Sequence, residues 1–550
     1  LTARDVARRV LDRVDKGGAW ATLSLDGELS RSGLDERDRR LVSELVYGVL
    51  RNRARIDRAL AAHARLKQTP PRVITALRIA AYQLLFLDRV PDYAAVDDAV
   101  NAARAAGGPK LAGFCNAVLR KLVTSGEPAL PSDPRARLEI AHSLPTWIAD
   151  ELALALQGSG QHDDRARTGD DDRPHDASVV SPAADRSHDA SAVSPAADRS
   201  HDASAVSPAA DRPHASAVSP AADRSHDASA VSPAADRSHD ASAVSPAADR
   251  SHDASAVSPT ADRPHDSAVS PAADRSPDAS AVSPGGDRLR ELAAAFAEPA
   301  PIIARVNTLR ATRDAVIEQL QAAGVTATPV AASPMAIALD GLGDPGRSAS
   351  FKAGRWTVQD AGAQLVGLVA APRAGQRILD ACAGVGGKAT HLAELSGDAA
   401  RIDAADQSQT KLDLAREAAR RLGITSLTGV ACDLTDPAAP LAAAYDLIVL
   451  DAPCTGLGVL RRHPDAKWRI KPADVARLAA IQRQLLDAVV PRLAPGGALI
   501  YSVCTFTRAE GPDQIAALVN RTGLRLVAEH RTWPPEADAF YIARLERVDG

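Results

Sequence analysis

The stretch Arg377-Ile378-Leu379-Asp380-Ala381-Cys382-Ala383-Gly384-Val385-Gly386-Gly387-Lys388 decides the fold. Its first five residues read as a short buried strand, and the glycines after it let the chain turn tightly and bring backbone close to a ligand. Further strand candidates follow at 401–405, 427–431, 447–450 and 498–503, with helical spacing between them, as at 410–422. Alternation of this kind predicts a parallel sheet covered on both faces by helices, a Rossmann-like domain over 356–548, with its ligand at the carboxyl ends of the strands.

Candidate functional residues fall at those ends. Gly384, Gly386 and Gly387 form the loop after the first strand, and Asp406 ends the second, where a carboxylate can accept both hydroxyls of a ribose. Loop and acid together indicate a nucleoside-containing cofactor, without separating a dinucleotide from S-adenosylmethionine. Asp433 ends the third strand, in position to bond an adenine amino group. The segment Asp446-Leu447-Ile448-Val449-Leu450-Asp451-Ala452-Pro453-Cys454 then runs an apolar strand straight into a carboxylate, a proline and a thiol. A second thiol, Cys504, follows Tyr501-Ser502-Val503. Two strand-end thiols beside a cofactor loop suggest a thiolate-based covalent transferase.

Upstream, residues 2–122 carry helical spacing throughout, for example Val6, Val10, Leu11 and Val14, punctuated by Pro91 and Gly107-Gly108-Pro109. They predict an all-helical bundle over 1–125. A small connecting α/β subdomain is expected from 134–160 together with 286–355. Between its two parts, 161–285 repeats Ala-Ser-Ala-Val-Ser-Pro-Ala-Ala-Asp-Arg-Ser-His-Asp with small variations, with one Val per copy (two in the first) and no Leu, Ile, Phe, Tyr or Trp. Stacked copies could not bury enough apolar surface to offset chain ordering, so a long disordered insert is expected there.

Residues 161–288 hold 12 Arg and 22 Asp, so a chain of net charge −4 carries +6 elsewhere. Residues 1–121 concentrate the excess, with 22 Lys and Arg against 14 Asp and Glu, including Arg51, Arg53, Arg55 and Arg58. That is compatible with a polyanionic partner and equally with solvated helix faces. Cys115, Cys382, Cys432, Cys454 and Cys504 contain no CxxC pair, no secretory signal precedes them, and no apolar run reaches bilayer length. A cytoplasmic protein is expected, with no membrane association and no metal. Leu1 as first residue and Met335 as sole methionine predict an incomplete or processed start.

The glycine loop, the segment Asp451-Ala452-Pro453-Cys454-Thr455-Gly456-Leu457-Gly458 with Arg461-Arg462-His463-Pro464-Asp465, and Ser502-Val503-Cys504 resemble the RNA cytosine-5 methyltransferases. Within them, Glu44-Leu45-Val46-Tyr47-Gly48-Val49-Leu50-Arg51 and Asn116-Ala117-Val118-Leu119-Arg120 resemble the NusB-like helical RNA-binding domain of the RsmB (Sun/Fmu) class, which modifies 16S ribosomal RNA. The resemblance implies S-adenosylmethionine as cofactor and ribosomal RNA as partner, and it does not imply a protein partner. It implies that the Cys504 thiolate attacks the base, that Asp451 bonds or protonates it near N3, and that Cys454 assists breakdown of the adduct. Cofactor contacts would come from Cys382, Ala383, Gly384, Val385, Gly386, Gly387, Lys388, Asp406, Asp433 and Asp451. Trp468 and Arg461, Arg462 and His463 either contact RNA or pack as a surface loop. Val385 stands where the family has proline, Gly384 where it has alanine, Thr505 where it often has serine and Gly511 where it often has asparagine. Transfer RNA methylation, or a non-catalytic RNA-binding assembly or antitermination factor, are the alternative readings.

Overall fold

The computed structural model describes residues 1–157 and 284–547. The disordered insert expected over 161–285 lies outside the described residues except at its last two, Pro284 and Gly285, which open the helix Pro284–Ala297.

The amino-terminal region is helical, as its periodicity predicts, from Ala3–Gly17 to Pro109–Ser125. Local chemistry sets the helix starts. Thr2 and Asp5 form a reciprocal capping box on Ala3–Gly17, and the Asp35 side chain accepts from the Asp38 amide at the start of Glu36–Arg51. Val6, Val10, Leu45, Val49, Leu77 and Leu119 from four helices meet in one core.

Two sheets follow. The smaller is antiparallel in the order β2-β3-β1-β4, with β1 Ile302–Val306, β2 Thr326–Pro329, β3 Ala336–Asp340 and β4 Trp356–Val358. Its core gathers Val306, Val316, Leu320, Ile337 and Trp356. The helices Pro134–His142, Thr146–Gln157 and Pro284–Ala297 do not share that core. They pack with Leu457, Leu460 and Phe506, directly under the loops that carry the candidate thiols.

The larger sheet contains β5 Arg377–Ala381, β6 Arg401–Asp406, β7 Leu427–Ala431, β8 Tyr445–Asp451, β9 Leu493–Val503, β10 Arg525–Arg531 and β11 Tyr541–Glu546. Its order is β10-β11-β9-β8-β5-β6-β7. The five strands from β7 across to β9 are parallel, as the alternation predicts. The sheet as a whole is mixed, because β11 runs antiparallel to β9 and β10 antiparallel to β11. Edge strand β10 buries no residue: its apolar run Leu526-Val527-Ala528 is only three residues long, is flanked by Arg525 and Glu529, and leaves Leu526 and Val527 exposed. β8, by contrast, buries four consecutive residues, Leu447 to Leu450. No helix among the described residues is long and apolar enough to cross a membrane.

Candidate active site

β5 and β8 are neighbours, and the winding reverses between them, with β6 and β7 on one side and β9 on the other. An open α/β sheet forms its ligand crevice at such a point. The loop after β5 is held in unusual backbone: Cys382, Gly384 and Gly386 have φ of 65°, 56° and 81°. At Gly386 a Cβ would stand 2.7 Å from that of Ala415, so this position accepts only glycine. The Ala383 amide donates to the Ala405 carbonyl (2.8 Å) and the Gly384 amide to Asp406 Oδ2 (3.0 Å), which ties the loop to the end of β6.

Beside this loop lies a cavity of about 480 Å³, lined by Cys382, Gly384, Asp406, Cys432, Asp451 and Pro453, with Ile481 and Leu485 as apolar wall. Its size and its mixture of apolar wall with a few acids suit a nucleoside cofactor. Asp406 keeps Oδ1 on the Ser408 amide (2.8 Å) and has the Lys411 ammonium 3.6 Å from Oδ2. The remaining candidates are distributed around the loop. Ala383 is buried, Val385 is exposed at its tip, and Gly387 opens the helix Gly387–Leu395. Asp433 is exposed and turns its carboxylate onto the amide and hydroxyl of Thr435, while its neighbours Cys432 and Leu434 line the cavity. Lys388 is largely buried and donates to Asp451 Oδ2 at 2.6 Å. Burial opposes its charge, but the Asp451 carboxylate prevails and raises its pKa. Beneath the loop, burial pushes the wholly enclosed Asp380 carboxyl up to about 7, with Lys388 pulling the other way.

The structure brings Asp451, Cys454 and Cys504 together. Ser502 Oγ donates to Asp451 Oδ1 at 2.8 Å, joining the ends of β8 and β9, and the two Sγ atoms are 3.3 Å apart. The contact with Cys504, then burial, raises the Cys454 thiol well above its ordinary value. Burial also pushes Cys115 and Cys382 up to about 12 each, which keeps those thiols protonated at neutral pH.

Glu510 fixes the geometry of the thiol pair, and nothing in the sequence spacing marks it. This buried carboxylate accepts from the Thr455 amide (2.8 Å), Thr455 Oγ1 (2.6 Å), Gln482 Nε2 (3.1 Å) and Thr507 Oγ1 (2.8 Å). Thr455 Oγ1 in turn meets Thr505 Oγ1 at 3.0 Å, so the residues that follow each cysteine are clasped to one another. Gly458 adds a backbone link, its amide donating to the Cys504 carbonyl at 2.9 Å.

Of the two readings for the basic segment after β8, packing is the one observed. Trp468 donates to the Leu50 carbonyl (2.8 Å) beneath Arg53, and Asp465 accepts from the Ala21 amide (3.0 Å). Arg462 is paired with Asp360 and Asp538. The arginine cluster of the helical domain is likewise engaged internally: Arg51 with the Arg461 carbonyl, Arg53 with Asp15, Arg55 with Glu127 and Arg58 with the Ala129 carbonyl.

Residues 367–546 match the profile described as 16S rRNA methyltransferase RsmB/F, residues 1–124 match the NusB family, and residues 284–344 match the RsmF/B-like ferredoxin-like domain. The chain is 26% identical over 542 residues to a probable ribosomal RNA small subunit methyltransferase B of Synechocystis, covering 98% of this chain and 91% of that one. It is 38% identical over 271 residues to ribosomal RNA small subunit methyltransferase B of Vibrio cholerae, covering 47% and 61%. The fold is similar to that in the crystal structure of PH0851, with a TM-score of 0.65 at 17% identity, over 100% of this chain and 99% of that one. Residues 367–546 thus carry an RsmB/F methyltransferase domain, with a NusB family domain and an RsmF/B-like ferredoxin-like domain ahead of it.

Proposed function

We propose that this protein methylates C5 of a cytosine in 16S ribosomal RNA through a covalent bond between Cys504 and C6 of the base. The observation that carries the reading is the pair of thiols 3.3 Å apart, with Asp451 joining their strand ends to the cofactor cavity.

S-adenosylmethionine supplies the electrophilic methyl group. Cytosine C5 is too weak a nucleophile to take it unaided. Addition of the Cys504 thiolate to C6 opens the C5–C6 double bond and places the electron pair where C5 can bond the methyl carbon. Asp451, held between Lys388 and Ser502, acts on the base in its protonated form: it passes its carboxyl proton to N3, which neutralises the negative charge that builds as sulfur adds, and takes it back when the adduct breaks down.

Release requires loss of the C5 proton, return of the double bond and cleavage of the C6–S bond, which restores the Cys504 thiolate. Cys454 suits the proton acceptor's role in sequence. Before addition, its neighbour Cys504 opposes its ionisation. Once the Cys504 sulfur is bonded to C6 it no longer carries that charge, so Cys454 can give its own proton to solvent and take the one on C5. A base must leave its stack to reach such a site, so single-stranded or unfolded RNA is the substrate form.

Mapping 5-methylcytosine in ribosomal and transfer RNA from cells with and without the gene tests the assignment. The loss of a mark in 16S ribosomal RNA is expected. Identical ribosomal maps with a mark lost from transfer RNA would transfer the chemistry to that substrate, and no change in either would refute it.

A further inference from the structure

Arg305, on β1 of the small sheet, is a fully buried arginine that belongs to a different sheet from the cofactor loop and yet grips it. Burying a guanidinium costs several kcal/mol unless its donors are satisfied. Here they are. Nε and Nη2 donate to the two oxygens of the buried Glu394 at 2.9 and 2.8 Å, Nη2 also reaches Thr390 Oγ1 (3.1 Å), and Nη1 donates to the Gly387 carbonyl (2.8 Å) and to Gln359.

Gly387, Thr390 and Glu394 stand at i, i+3 and i+7 of one helix, so they share one face, and the guanidinium runs along it as a splint. The grip falls hardest at the first turn. Gln359, just beyond β4, places a second donor on the same Gly387 carbonyl at 3.2 Å, and Thr390 Oγ1 donates to the Gly386 carbonyl at 2.8 Å. Gly386 and Gly387 end the loop that borders the cofactor cavity, and the next residue, Lys388, bonds Asp451. An apolar pair of similar volume would fill this space at less cost. What the guanidinium adds is a planar fork that fixes the Gly387 carbonyl relative to Glu394.

We propose that Arg305 is a positioning residue for the cofactor loop, by which the small sheet sets the loop's backbone for S-adenosylmethionine. The proposal rests on the cofactor reading above. It is tested on the full chain by calorimetric titration with S-adenosylhomocysteine, using Arg305→Lys and the double variant Arg305→Met/Glu394→Met, which leaves no unpaired buried charge.

The double variant should keep the wild-type thermal midpoint yet bind S-adenosylhomocysteine on the order of tenfold more weakly, as expected for losing a charge-assisted hydrogen bond to the loop. Arg305→Lys, which retains charge but not the fork, should recover part of that affinity. In methyl transfer the loss should appear in KM for the cofactor and leave kcat at saturation nearly unchanged. A stably folded double variant with wild-type affinity would overturn the role. If the double variant does not fold, Arg305→Lys decides by the same criterion. A wild-type protein that binds no S-adenosylhomocysteine would instead refute the cofactor reading itself, and the role of Arg305 with it.

Discussion

The Sγ atoms of Cys454 and Cys504 lie 3.3 Å apart, just beyond the carboxyl ends of the neighbouring parallel strands β8 and β9. The strands alone do not hold them there. Ser502 bonded to Asp451 closes the strand ends, and one step further out Thr455 is bonded to Thr505 and is tied through Glu510 to Thr507.

Glu510 should therefore control the thiol pair without touching the cofactor cavity. Glu510→Gln exchanges one acceptor for a donor opposite Thr455 and Thr507, and should lower kcat by about ten- to a hundredfold through misplacement of reacting groups. Binding of S-adenosylhomocysteine should be unchanged. Glu510→Ala leaves the buried Thr455 amide without its acceptor and Gln482 with only the Pro453 carbonyl, and should cost about 3 kcal/mol of stability, measurable by urea denaturation.

Gly458 provides a steric test of the same clasp. A Cβ there would stand 1.9 Å from the Ala539 carbonyl oxygen and 2.8 Å from that of Cys504. Gly458→Ala should destabilise by about 1–3 kcal/mol and depress methyl transfer, because relief of the clash has to move backbone. Thermal denaturation and single-turnover kinetics read the two effects.

Lys467 gives a pH signature at the junction with the helical domain. Its ammonium is buried, its observed partner is the His142 carbonyl at 3.3 Å, and burial followed by repulsion from Arg51 pulls it down to about 7. A lowered folded-state pKa means that the unfolded chain binds the proton more tightly. This group's contribution to stability is present above the ordinary lysine value and is lost as pH falls from there towards 7. Lys467→Met should raise stability at pH 7 by about 1–2 kcal/mol and remove that slope, as followed by thermal midpoints between neutral and alkaline pH.

The parallel core of the catalytic sheet was legible because β5, β6, β7 and β8 carry short apolar runs that end in glycines or acids, and period and punctuation agree there. β10 was not, since its three apolar residues, Leu526 to Ala528, are a short run among charged ones and none of them is buried. The thiols, Asp451 and Asp406 could be found because strand ends are where chemistry collects in such sheets. Glu510 and Arg305 could not. A charged residue in a sequence reads as solvated, and only tertiary structure shows that their hydrogen bonds close inside the protein. For the same reason Trp468 and Arg51 read equally well as an RNA surface, until the structure shows them joining the helical domain to the catalytic one.

The central claim is that Cys504 makes the bond to RNA and Cys454 releases it. It is tested most directly by incubating Cys454→Ala protein with unfolded 16S ribosomal RNA and S-adenosylmethionine, then resolving the products under denaturing conditions. A protein–RNA adduct should persist in Cys454→Ala and vanish in Cys454→Ala/Cys504→Ala. An adduct that survives loss of Cys504, or none in Cys454→Ala protein shown to bind both RNA and cofactor, would contradict it.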